Sequence, residues 1–209
     1  INGLFGKHLS KTAVGLIGSG TLLAAFLLTV GCFNQVAASG AIETSLYQFM
    51  AVDSLSINFG FLIDPLSVWM MLIVTGVGFL IHVYSIGYMH DDEGFWKFFA
   101  YLNLFIFSML LLVMGNNFLM LFFGWEGVGL CSYLLIGFWY ENREYGKAAR
   151  KAFIMNRIGD LGLLLGIFLV FKLFGTLNFS EIFDRLPTMR LAAGATTLIC
   201  ILLFVGAMG

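Results

Sequence analysis

Apolar runs dominate the chain, and their lengths indicate what they build. Crossing a hydrocarbon layer of about 30 Å takes about 20 helical residues. Thr12 to Phe33 is such a run without a charge, and Pro65 to Met89 is another with only His82 inside it. Phe98 to Tyr140 is too long for one crossing and breaks at Gly115-Asn116-Asn117, giving a third and a fourth span. Ala152 to Gly175 makes a fifth, and Leu191 to Gly209 opens a sixth that is still apolar where the sequence stops. Ile1 to Gly6 reads as the tail of a further helix. With no methionine at the start, the chain reads as a piece of a longer membrane protein.

The connections have patterns of their own. Leu55, Ile57, Phe59 and Phe61 alternate with smaller or polar neighbours, the period of a strand. With Leu46 to Phe49 before them and Val52-Asp53-Ser54 as the turn, residues 44–63 are predicted to form a β-hairpin outside the lipid. Phe179, Ile182, Phe183 and Leu186 follow helical spacing and Pro187 stops them, which predicts a short interfacial helix. Asn178-Phe179-Ser180 matches a glycosylation triplet, a pattern too short to carry weight alone. No internal repeat is found. The expected fold is an all-α polytopic membrane protein, a transmembrane helix bundle with a small extramembrane β-hairpin.

Composition excludes the soluble alternative. Hydrophobic residues make up 60% of the 209 and charged ones 11%, against about 25% charged in an ordinary soluble domain. Twelve acids and eleven bases cannot cover the surface of a soluble protein this size. A net charge of −1 argues against a nucleic-acid partner, which requires a concentrated basic face. Cys32, Cys131 and Cys200 are odd in number, lie in apolar runs and have no CxxC spacing. No metal or iron–sulfur site is therefore expected, and the thiols read as small hydrophobes.

Lysine and arginine set the orientation. Lys7, Lys11, Lys97, Arg143, Lys147, Arg150 and Lys151 fall on one side, and Arg185 and Arg190 on the other. The excess of seven over two assigns the 6–11, 88–97 and 141–151 loops to the cytoplasm or matrix and the hairpin to the outside.

Three ionisable residues lie deep inside these spans. Glu126 is nine residues past Asn117, about 13 Å at 1.5 Å per residue, near the midplane. Arg157 and Asp160 are six and nine residues past Lys151 and share one side of a helix. Each such charge costs about 2.5–3.5 kcal/mol on insertion scales, so it is kept for a reason. Arg157 and Asp160 read either as a self-neutralising packing pair or as part of a relay. Glu126, with no base on its own span, reads as a proton or ion relay, the alternative being a protonated carboxyl holding helices together. A cation at 4 Å interacts with a carboxylate by about 4 kcal/mol at an effective dielectric of 20. At about 1.4 kcal/mol per decade, moving that cation changes proton affinity by up to about three powers of ten. Gly124, Gly127, Gly129 and Ser132 would let backbones or water approach Glu126. His82 is a weaker candidate, a proton shuttle or a packing histidine. His90 sits among Asp91, Asp92 and Glu93 and reads as a solvated loop.

The stretch from Gly124 to Tyr140, with its Gly-Trp-Glu-Gly-Val-Gly-Leu-Cys-Ser-Tyr opening, resembles the signature of the largest antiporter-like membrane subunit of respiratory complex I, called subunit L in bacteria and chain 5 in mitochondria. Phe61 to Ser67, Tyr84 to Met89, Lys151-Ala152-Phe153, Asn156 to Asp160 and Gly175 to Phe179 support it. The resemblance covers nearly the whole chain and corresponds to the N-terminal third of the family's length. It implies a first region over 1–60, a subunit-5-type region over 61–115 and the start of the proton-translocating domain over 116–209. It implies proton transport within an NADH:quinone oxidoreductase, beside other membrane-arm subunits and above all the neighbouring antiporter-like one, in a bacterial inner or organellar inner membrane. The matching glutamate pairs in that family with a lysine on a later helix, which would fall just past Gly209, and Arg157 and Asp160 match the same polar system. No cofactor is expected on this chain; NADH, FMN, iron–sulfur clusters and quinone belong to the rest of the complex. The competing resemblance is to the large subunit of multisubunit cation/proton antiporters, which usually carry Trp-Glu-Leu-Thr-like residues where this chain has Trp125-Glu126-Gly127-Val128.

Overall fold

The structure, a computed structural model, describes residues 2–52, 55–187, 189 and 193–209. A short helix α1 (Asn2–Phe5) and a 3₁₀ turn lead into α2 (Lys11–Ser39). Strands β1 (Ile42–Val52) and β2 (Leu55–Ile63) follow, then α3 (Pro65–Tyr88), α4 (Phe95–Met114), α5 (Phe118–Ile136) and α6 (Arg143–Phe174). Helices α7 (Phe179–Arg185) and α8 (Ala193–Met208) complete the described chain. Five helices, α2 to α6, are long and apolar enough to cross a membrane, and α8 adds a shorter apolar one of 16 residues.

Side-chain caps fix where the spans begin, because the first N–H groups of a helix have no partner within it. Ser10 Oγ accepts from Ala13 N at 3.2 Å before α2. Asp64 and Ser67 exchange reciprocal bonds of 2.7 Å, with Pro65 at the first helical position of α3. Asn117 Oδ1 accepts from Leu119 N and Met120 N at 3.1 and 2.9 Å, and Asn142 Oδ1 from Glu144 N at 3.0 Å. Gly175, at φ +68°, ends α6 in the left-handed conformation that glycine adopts without strain.

Two helices outrun their apolar segments. α2 continues past Phe33 to Ser39, and α6 starts at Arg143, nine residues before its apolar run. Its 32 residues span about 48 Å, so the charged first turns stand clear of a core of about 30 Å. The predicted hairpin forms, antiparallel from Ile42 opposite Ile63 to Val52 opposite Leu55. The expected turn residues Asp53 and Ser54 lie outside the described residues, as does Arg190. The short helix expected ahead of Pro187 forms as α7.

Successive spans pack side by side, and the connections sort to two ends. At one, Asn117 Nδ2 donates to Asn58 O at 2.9 Å, Phe118 N to Leu177 O at 3.1 Å, and Ser180 Oγ to Glu43 Oε2 at 2.8 Å. These bonds tie the hairpin to the turn between α4 and α5 and to the start of α7. At the other end, Lys11 Nζ donates to His90 O at 2.7 Å and Trp139 Nε1 to Asp92 Oδ2 at 2.8 Å. The seven clustered bases share that end. Lys172 lies exposed in the last turn of α6 at the hairpin end, a base there beside Arg185 among the described residues, so the asymmetry is smaller than seven to two. Side chains facing away from the bundle remain apolar: Leu80 is 65% exposed and Phe168 61%, as a lipid-facing surface requires.

Candidate functional site

Helix α5 carries Glu126 between two glycine contacts with α4. A Cβ on Gly124 would lie 2.6 Å from Leu112 Cα, and one on Gly127 would lie 2.9 Å from Ser108 Cβ. Only a residue without a side chain lets the two backbones come this close. Gly129, one turn on from Glu126, faces α6 instead, where its Cβ would meet Asn156 Nδ2 at 3.6 Å and Arg157 Nη2 at 3.9 Å. The glycines foreseen as making room thus serve two neighbours, α4 and α6.

Glu126 therefore points at α6. Arg157 Nη1 donates to Glu126 Oε2 in a close ion pair, and the same Nη1 stands 3.4 Å from Asp160 Oδ2. The Arg157 guanidinium lies over the Phe153 ring at 4.6 Å from its centroid, a cation–π contact that holds the group in the helix interface. Trp125 Nε1 donates to Asp160 Oδ1 at 2.7 Å. Asp160 is almost enclosed, its side chain 7% exposed, while the Glu126 and Arg157 side chains retain 25% and 35%.

The three deep ionisable residues named from sequence thus form one centre. The pairing differs from a self-contained Arg157–Asp160 device: Arg157 bridges both acids and is bonded to Glu126 across the α5–α6 interface. Two carboxylates thus share one guanidinium. Asp160 is gripped by Trp125 on one oxygen and faced by Arg157 on the other, while Glu126, the more exposed of the two, is bonded to Arg157.

Trp125 was not singled out from sequence. The signal was available, since a buried indole N–H seeks an acceptor and this tryptophan adjoins the intramembrane acid. His82 lies elsewhere, in α3, 1% exposed, its Nδ1 2.8 Å from Gly78 O and its ring edge-on to Phe99 at 5.9 Å. Helix α4 stands between it and Glu126. His90 is exposed at the loop after α3, with Nδ1 3.0 Å from Asp91 Oδ1. Among the described residues no three histidine, cysteine, aspartate or glutamate side chains gather where they would hold a metal ion.

Comparison with known proteins places the chain in a family. Residues 49–99 match the family described as NADH-ubiquinone oxidoreductase (complex I), chain 5 N-terminus, and residues 115–209 match NADH:quinone oxidoreductase/Mrp antiporter, TM. NADH-quinone oxidoreductase subunit L of Campylobacter jejuni is 56% identical over 169 residues, 81% of this chain and 27% of that protein. The chain spans between 27% and 33% of the length of the curated relatives it matches. In fold it is similar to a chain of the Mrp complex from Dietzia sp., with TM-score 0.83 at 24% identity over 100% of this chain and 22% of that one. A chain of respiratory complex I from Thermus thermophilus gives TM-score 0.68 at 17% identity, over 98% of this chain and 40% of that one.

Proposed function

This chain belongs to the antiporter-like membrane subunits of complex I, subunit L in bacteria and chain 5 in mitochondria, and we propose that it carries protons across the bilayer through a relay centred on Glu126. In that reading the chain is the transport part of an NADH:quinone oxidoreductase. Its neighbours are other membrane-arm subunits, including an adjacent antiporter-like one, and its membrane is a bacterial inner membrane or its organellar descendant. NADH, FMN, iron–sulfur clusters and quinone are handled by the rest of the complex.

The observation that carries the proposal is the shared guanidinium. Arg157 bonded to Glu126 favours the ionised glutamate. When Arg157 turns to Asp160, already within 3.4 Å, Glu126 loses its counter-charge in a low-dielectric setting and takes a proton. The return of Arg157 releases it. A cation within 4 Å is worth about 4 kcal/mol at an effective dielectric of 20, enough to alternate between loading and release. Trp125 keeps Asp160 in place, so the cation moves while its two anchors stay.

Likeness in fold to the Mrp complex does not favour a cation/proton antiporter without redox chemistry, because it rests on 24% identity. The test is the ordering of two variants of the full-length subunit in its assembled complex. Glu126→Gln removes titration and should abolish this subunit's share of proton pumping per NADH oxidised, while Glu126→Asp keeps the charge and should be milder. The opposite ordering would identify a neutral carboxyl that only holds helices together.

A further inference from the structure

Four buried polar atoms outside the Glu126 centre have no partner among the described residues: Asn178 Oδ1 at the start of α7, and Asn2 Oδ1, Ser19 Oγ and His82 Nε2 in the α1–α4 part of the bundle. Asn2, Ser19 and His82 are 6%, 6% and 1% exposed. They come from three elements, α1, α2 and α3; Asn2 and His82 lie near Phe99 of α4, and Ser19 follows Gly18, which packs on that ring. A Cβ on Gly18 would lie 2.7 Å from Phe99 Cδ1 and 3.4 Å from Asn2 Nδ2, and the His82 ring meets Phe99 edge-on. Helices α2 and α3 run antiparallel, with Gly15 against Ile86 and Gly78 against Leu22. Counting inward from both contacts brings Ser19 level with His82.

The donor and acceptor types decide what fits there. Gly78 O, 2.8 Å from His82 Nδ1, can only accept, so Nδ1 carries a proton and Nε2 of the neutral ring presents a lone pair. Ser19 offers an O–H donor and a second lone pair, and Asn2 Oδ1 is an acceptor. Its amide nitrogen is already committed to Val14 O at 3.2 Å. Buried polar atoms in native proteins are satisfied, and ordered water with two to four polar partners is the usual means when they do not meet directly. An apolar occupant would leave all three unpaired.

We propose that Asn2, Ser19 and His82 form a water-binding site in the α1–α4 bundle, in which one water bridges His82 Nε2 and Ser19 Oγ and Asn2 Oδ1 is the next partner. Its ligand is water, and the site stands whether or not Glu126 relays protons. The geometry also limits the histidine. A proton entering at Nε2 cannot leave through Nδ1, because a backbone carbonyl does not take it on. His82 therefore receives and returns a proton on one nitrogen, an end station rather than a link in a through-going chain.

The test uses the full-length subunit in its membrane complex. Cryo-electron microscopy at a resolution that shows ordered water should place a peak about 2.7–3.2 Å from both His82 Nε2 and Ser19 Oγ. Thermal unfolding should show Ser19→Ala and His82→Phe each lowering Tm, and the double variant lowering it by less than the two shifts combined, because the first substitution already breaks the bridge. No peak in the wild-type map would overturn the proposal. Additive shifts, or a rise in Tm when either polar group is removed, would also overturn it. The wild-type map decides alone if a variant fails to assemble.

Discussion

Replacing Trp125 by phenylalanine keeps an aromatic ring in the α5–α6 interface but removes the indole N–H that donates to Asp160 Oδ1 at 2.7 Å. Asp160 has almost no access to water that could substitute, its side chain being 7% exposed. A hydrogen bond to a charged group contributes about 1.5–3 kcal/mol, and here most of that is lost. The carboxylate then leans on its remaining partner, Arg157, and competes harder with Glu126 for the guanidinium. At about 1.4 kcal/mol per decade, the preference of Arg157 for Glu126 shifts by roughly ten- to a hundred-fold. Trp125→Phe should therefore lower proton pumping per NADH oxidised in membrane vesicles, with the complex still assembled and still oxidising NADH. In an Asp160→Asn background the same substitution should add little, since a neutral amide does not compete for the arginine. An equal loss in both backgrounds, or no loss in either, would show that the indole acts by packing alone and refute the argument.

Gly124→Ala places a methyl against the backbone of Leu112, 2.6 Å from its Cα and closer still to its N, which cannot yield as a flexible side chain would, so the α4–α5 pair should lose about 1–3 kcal/mol or more and the variant should show a lower Tm and less assembled complex. Gly129→Ala, whose nearest contacts are 3.6 and 3.9 Å, should assemble normally in the same assay. A cysteine at Asn142 should be protected from membrane-impermeant thiol reagents in intact cells and one at Ser45 labelled; the reverse would invert the orientation. Glu181 is held below the usual carboxylate range, chiefly by hydrogen bonds from Asn178 and Thr176. A depressed folded-state value stabilises the docked α7 above the ordinary glutamate range, and that stabilisation fades as pH falls through the lower folded value. Amide exchange in α7 should accordingly quicken on acidification, modestly because the side chain is 45% exposed, and Glu181→Gln should flatten the dependence.

Span positions were legible because a bilayer imposes length and apolarity on every crossing, and Gly115-Asn116-Asn117 marked the one break that an apolar run hid. The start of α6 was not, because Arg143 to Lys151 end an apolar run without ending a helix. Depth along a helix follows from residue counting, which is why Glu126, Arg157 and Asp160 were visible as candidates. Their joining was not visible, since one sequence does not tell how α5 and α6 are rotated toward each other. That rotation follows from glycine contacts at Gly124 and Gly127 on one face and Gly129 on another. Trp125 was overlooked because an aromatic residue in a membrane span ordinarily reads as filling. The polar set around His82 draws on three helices at once, so spacing along any one of them carries no trace of it.

The central claim is that Glu126 gains and loses a proton during turnover, and infrared difference spectra of the assembled complex in membranes address that proton directly. The account predicts a protonated-carboxyl C=O band that rises and decays as NADH is consumed and quinone reduced, is absent in Glu126→Gln and is displaced in Glu126→Asp. A Glu126 carboxyl band that is constant through turnover, or a turnover band that survives unchanged in Glu126→Gln, would contradict it.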